Sequence, residues 1–167
     1  MRALTLITLL VFASWAAACS DDDKPAADSQ VPDAGENIND EGCEHMTQGP
    51  FADVTAGSDI ASATEVKSDH HAYRVALTAS QAGYVKYAAA GAGELILFLD
   101  TNVALQIQDD QGKPLTLEKS ETSIPECTVI KAKHTVDLPA VGTYFFALGP
   151  DAATTATIVI EEAGHSH

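Results

Sequence analysis

From Cys43 onward the chain is a succession of short runs in which apolar side chains recur at every second position, separated by Gly, Pro, Asp and Asn. The clearest are Phe51 to Thr55, His71 to Thr78, Gly83 to Ala88, Glu94 to Asp100, Val103 to Gln108, Pro114 to Glu118, Thr128 to Leu138, Thr143 to Leu148 and Thr154 to Glu161. Tyr73, Val75 and Leu77 share one face of their run, with Arg74 opposite; Ile130, Ala132, Val136 and Leu138 share one face, with Lys131 and Lys133 opposite. A two-residue period places one face of each strand in a core and the other in solvent. Leu95 to Leu99 is apolar on both faces, which predicts a central strand covered on both sides. No sustained 3.6-residue pattern follows residue 20, and Ser58 to Lys67 has room for one helical turn at most. The expectation is an all-β fold over residues 43–162, an antiparallel β-sandwich or jelly roll of about eight to nine short strands.

The N-terminus predicts a compartment. Arg2 precedes an uncharged stretch from Ala3 to Ala18, and Trp15-Ala16-Ala17-Ala18 runs into Cys19. A positive start, a short apolar run and small residues before a cut form a secretory signal peptide. Because the small residues end on a cysteine, Ala16-Ala17-Ala18-Cys19 resembles the lipobox of bacterial lipoproteins. That resemblance implies a signal peptide over residues 1–18, cleavage before Cys19 and diacylation of its sulfur. The alternative, an uncut membrane anchor, needs about 20 apolar residues, whereas this run stops at Asp21-Asp22-Asp23. The family implies a cell-envelope protein held to a membrane by lipid. Ser20 after the cysteine points to the outer membrane, facing periplasm or cell surface.

Residues 19–42 carry eight acids, one lysine and only Val31 and Ile38 as large aliphatics. Such a segment cannot bury enough apolar surface to offset its conformational entropy, so a disordered tether with a reach of roughly 25 Å is expected. Without the signal and its Arg2, 8 of the 9 Lys/Arg remain against 24 Asp/Glu, a net −16. Nucleic acid is excluded as a partner, since its binding needs clustered Lys and Arg. Anionic headgroups would repel the chain, leaving the acyl chains to hold the membrane.

With Cys19 acylated, Cys43 and Cys127 form an even pair, 84 positions apart. In an oxidising compartment they predict a disulfide, contributing about 4 to 5 kcal/mol by closing so long a loop. The competing reading is a pair of thiolate metal ligands.

Histidines supply the strongest chemical signal. His71 is in phase with Tyr73, Val75 and Leu77, His134 with Ala132, Val136 and Leu138, and His45 lies two residues after Cys43. Imidazoles converging on one pocket suit Cu or Zn. The expected metal ligands are therefore His45, His71 and His134, against the alternative of core histidines bonded to backbone carbonyls or carboxylates. If Cys43 bridges Cys127, seven extended residues carry His134 up to ~23 Å from that bridge unless the chain bends. The C-terminal residues 163–167 end in Gly164-His165-Ser166-His167, a mobile-tail pattern with weak metal-scavenging capacity. Asp109-Asp110-Gln111-Gly112 lacks the calcium-loop ladder and reads as a hairpin turn. No Gly-x-Ser-x-Gly elbow, His-Glu-x-x-His pair or phosphate loop occurs, and no enzyme is expected.

Leu105-Gln-Ile107-Gln-Asp-Asp-Gln-Gly112, then Leu138 through Gly142-Thr-Tyr144-Phe-Phe-Ala-Leu148-Gly149-Pro150, closing in Ala156-Thr-Ile158-Val-Ile160-Glu, is similar to the bacterial pre-peptidase C-terminal domain. That family implies a jelly-roll accessory module with no catalytic residues to carry over. Two functions follow as expectations: a non-enzymatic envelope lipoprotein binding Cu or Zn, or a structural module for an envelope protein partner, without metal.

Overall fold

The computed structural model describes residues 37–163. The expected signal peptide (residues 1–18), Cys19, most of the expected tether and the His-containing end from residue 164 lie outside the described residues. What is described is one helix, α1 (Ile38–Gln48), a short 3-10 turn (Ile60–Ser62) and eleven strands. The strands are β1 (Phe51–Thr55), β2 (Thr64–Val66), β3 (Ala72–Ala76), β4 (Gly83–Ala89), β5 (Gly93–Leu99) and β6 (Leu105–Asp109). They continue with β7 (Pro114–Leu115), β8 (Leu117–Glu121), β9 (Ala132–Leu138), β10 (Gly142–Leu148) and β11 (Thr155–Glu162).

Two sheets pack face to face. One has six strands in the order β1-β3-β11-β5-β9-β8, the other five in the order β2-β4-β10-β6-β7. The all-β sandwich expected from the two-residue period is what the chain forms, but its sheets are mixed rather than purely antiparallel. β1 runs parallel to β3 and β2 parallel to β4, each at a sheet edge. The alternation sorts residues as the pattern requires. Leu95, Leu97, Leu99, Val136, Ile158 and Ile160 of one sheet meet Val85, Tyr87, Ile107, Tyr144, Phe146 and Leu148 of the other. Each large aliphatic or aromatic side chain removed from water there contributes roughly 1.5 to 3 kcal/mol.

β5 is the central strand its composition predicts. It lies between β11 and β9, and while Leu95, Leu97 and Leu99 enter the inter-sheet core, Ile96 and Phe98 point the other way. A second, smaller core covers that outer face, and its lid is α1. Met46 of the helix packs with Ala72, Ile96, Phe98, Ile124, Cys127, Ile130 and Val159, with Ile38 and Cys43 at its rim. Gly42 makes the close approach possible, since a Cβ there would lie 2.5 Å from Cε2 of the buried Phe98 ring.

This helix corrects two expectations. Residues 38–42, assigned to the tether, are the start of α1, so the folded unit begins before Cys43. His45 lies on this helix, where the sequence pattern predicts none. Local chemistry accounts for the element: the Asn37 side chain accepts the Asn39 N–H, Asp40 and Glu41 sit in the first turn, and Gly49 stops the helix at φ 76. Residues 128–131, expected as strand, instead turn: Cys127 N–H bonds Ile124 O and Ile130 N–H bonds Cys127 O, so β9 starts only at Ala132. The turn brings Cys127 to α1, where it is bonded to Cys43 with a Cα–Cα separation of 5.8 Å. At Asp109–Gly112 the hairpin turn is present: Asp109 Oδ1 accepts the N–H groups of Gln111 and Lys113, and Gly112 takes φ 77.

Candidate metal centre

The outer face of the six-stranded sheet, beneath α1, gathers the ligand-type side chains. Four residues from three segments converge: Glu41 and His45 from α1, His70 from the loop between β2 and β3, and Glu161 from β11. One ligand atom from each lies within 4.8 Å of all the others, and it is the sole such group of three or more His, Cys, Asp or Glu among the described residues. Each position follows from local geometry. Glu41 and His45 are four apart on the helix, hence on one face. On β11, Ile158 and Ile160 enter the inter-sheet core, so Val159 and Glu161 occupy the opposite face, with Glu161 beside Ile96 of β5. His70 adopts φ 60, a left-handed conformation that histidine tolerates better than most residues.

The distances suit one small cation. His45 Nε2 is 3.2 Å from His70 Nδ1, 3.9 Å from Glu41 Oε1 and 3.8 Å from Glu161 Oε1. His70 Nδ1 is 3.4 Å from Glu41 Oε1 and 4.0 Å from Glu161 Oε2. Ligands about 2.0 to 2.1 Å from a tetrahedral zinc ion stand roughly 3.3 Å from one another, so small inward movements would close the shell.

Charge points the same way. Burial, and then the nearby Glu41 carboxylate, push the Glu161 carboxyl up from 4.5 to about 7. Its side chain is 5% exposed, and its Oε1 is one of three buried side-chain atoms lacking a hydrogen-bond partner among the described residues. His45 Nδ1 is another. Two carboxylates forced together out of water are costly, and a divalent cation between them cancels their charge while neutral imidazoles complete the shell.

Of the three expected histidines, His45 alone belongs to this group. His134 faces Leu97 of β5 and Ser120 of β8 across the sheet, on the inter-sheet side, whereas Glu161 shares the outer face with Ile96. Residues on opposite faces of one sheet cannot hold a common ion. His134 Nδ1 instead pairs with Ser120 Oγ at 2.9 Å, its buried Nε2 has no hydrogen-bond partner among the described residues, and burial lowers its pKa. His71 has the parity of Tyr73, also away from α1, and its Nδ1 lies 2.9 Å from Asp69 O and 3.1 Å from Asp69 Oδ1. The residue missed beside it is His70, whose left-handed backbone turns it from the strand's phase. Glu41 and Glu161 were missed because no reading without the helix brings carboxylates to that face. Glu41-x-x-x-His45 following Asn37 was the available signal.

No family model matches the chain and no curated protein matches it, so the four-residue group, its spacing and its burial are what carry a functional reading.

Proposed function

We propose that this chain is a lipid-anchored cell-envelope module that binds one divalent transition-metal ion, zinc or copper, through Glu41, His45, His70 and Glu161. The supporting observation is the convergence of two imidazoles and two carboxylates within 4.8 Å, one carboxylate buried. Nitrogen and oxygen donors of this kind suit zinc and copper(II), and copper(II) stands higher in the divalent affinity order. The envelope placement comes from the lipobox-like Ala16-Ala17-Ala18-Cys19. The accessory, non-enzymatic role comes from the likeness of residues 65–162 to pre-peptidase C-terminal domains and the lack of catalytic motifs in the sequence.

A structural module without metal is the second reading, favoured by one feature. A metal-bound histidine ordinarily donates its other ring N–H to an acceptor, and His45 Nδ1 has none among the described residues. In that reading, the His45 and His70 rings bond each other and lie within ion-pair range of Glu41 and Glu161. Calorimetric titration of metal-free full chain with Zn(II) and Cu(II) separates the two. Metal binding predicts one ion per chain, lost in His45→Ala and Glu161→Gln and kept in His134→Ala. Absence of stoichiometric binding leaves the ion-pair cluster.

A further inference from the structure

We infer that this centre is an exchange site rather than a permanent lock, and that His70 is the ligand that lets go, so that a chelating acceptor takes the ion through the β2–β3 loop. The inference rests on the metal-binding reading above.

Its ground is the unequal setting of the four groups. Glu41, His45 and Glu161 belong to α1 and β11, and their side chains are 14%, 16% and 5% exposed. The helix carrying two of them is fastened to the β8–β9 connection by the Cys43–Cys127 bridge, and to the sheet by Met46 in the outer core and the Lys133 Nζ bond to Asn39 Oδ1. His70 is 40% exposed and sits in a loop, at φ 60. The loop is pinned just before His70 by Ser68 and Asp69, and just after it the Ala72 N–H donates to Pro50 O. Ser68 Oγ donates to Glu162 Oε1 at 2.9 Å, and the Tyr73 hydroxyl donates to Asp69 Oδ1 at 2.8 Å. Movement at this corner therefore falls to the His70 side chain, which can rotate into solvent without disturbing the three inner ligands. The centre's solvent-facing side is the His70 side. Among the described residues His45 Nδ1 has no acceptor, and so lacks the outer bond that commonly tightens a metal site by about 10- to 100-fold.

The step is a ligand substitution. The metal–Nδ1 bond to His70 breaks as a bond to an acceptor nitrogen or oxygen forms, and the released imidazole keeps its lone pair or takes a proton from water. The ion keeps its oxidation state throughout. An acceptor offering two or more imidazole, carboxylate or pyridyl donors could then displace the remaining ligands in turn.

Zn(II) transfer from the loaded full chain to a pyridylazo chromophoric chelator, followed by stopped flow, tests this. The expected rate rises in proportion to chelator concentration. In His70→Ala, a ligand itself is lost, so affinity falls by at least the roughly 10- to 100-fold typical of losing a ligand's outer partner, and transfer accelerates at least ~10-fold. His71→Ala, one residue along the same loop, transfers at the wild-type rate. A rate independent of chelator concentration, or a His70→Ala rate equal to wild type, overturns the exchange mechanism while leaving metal binding intact. Failure of the wild-type chain to load Zn(II) at all overturns the metal reading instead. Circular dichroism of His70→Ala confirms that the comparison is between folded proteins.

Discussion

Glu161 offers a quantitative test through its buried carboxyl. In the metal-free protein, its pKa is raised from 4.5 to about 7 by burial and then by Glu41. A raised folded pKa means that the folded state holds the proton more tightly than the unfolded chain. Stability is therefore intact below pH 4.5 and is lost as pH rises toward and through 7. The shift corresponds to about 3 kcal/mol at full ionisation. That figure is large against the 5 to 15 kcal/mol typical of a domain. Urea denaturation of metal-free wild type and Glu161→Gln, at pH 4.5 and pH 8, isolates this contribution. The difference in unfolding free energy between the two proteins should change by about 3 kcal/mol across that range, with wild type losing ground at the alkaline end. Saturating Zn(II) should abolish or reverse the trend at pH 8, because the ion binds the ionised carboxylate. Equal pH dependence of wild type and Glu161→Gln would refute the claim that this carboxyl is desolvated beside a second one.

Further substitutions separate the parts of the helix clasp. Gly42→Ala places a methyl group against Phe98, and should cost about 1 to 2 kcal/mol after its gain in helix propensity, with weaker Zn(II) binding as α1 lifts, measured by denaturation and titration. Cys127→Ser opens the bridge to Cys43 and should cost about 4 to 5 kcal/mol by urea denaturation. His71→Ala and His134→Ala should leave Zn(II) affinity within roughly twofold of wild type, since these rings bond Asp69 and Ser120, which are not among the four ligands.

How far the residues announce the fold depends on which period they carry. The sandwich is legible because Tyr73, Val75, Ile107, Val136, Leu138, Ile158 and Ile160 alternate with polar or outward neighbours, and two-residue alternation has one structural meaning. The central place of β5 is legible for the same reason, since a strand apolar on both sides must be covered on both. α1 escapes such a reading because its sheet-facing side is built of Ile38, Gly42, Cys43 and Met46 with Glu41 and His45, and one branched aliphatic makes no stripe to count. Missing the helix hides the centre, as two of its four ligands are on it. The turn at Cys127 was illegible for a different reason: Thr128 to Leu138 has strand-like composition throughout, and the disulfide with the bonds around Ile124 and Ile130 overrides it. His134 shows the converse. Its alternation with Ala132, Val136 and Leu138 gives it an inward phase, and that phase is what separates it from Glu161.

X-ray absorption at the zinc edge of the Zn(II)-loaded full chain addresses the metal centre most directly. Two imidazole nitrogens and two carboxylate oxygens at about 2.0 to 2.1 Å are expected. The imidazole signal should drop by half in His70→Ala, which keeps the three inner ligands and still loads zinc. A spectrum with sulfur near 2.3 Å, with oxygen ligands alone, or unchanged by that substitution would contradict the assignment of Glu41, His45, His70 and Glu161 as the ligands.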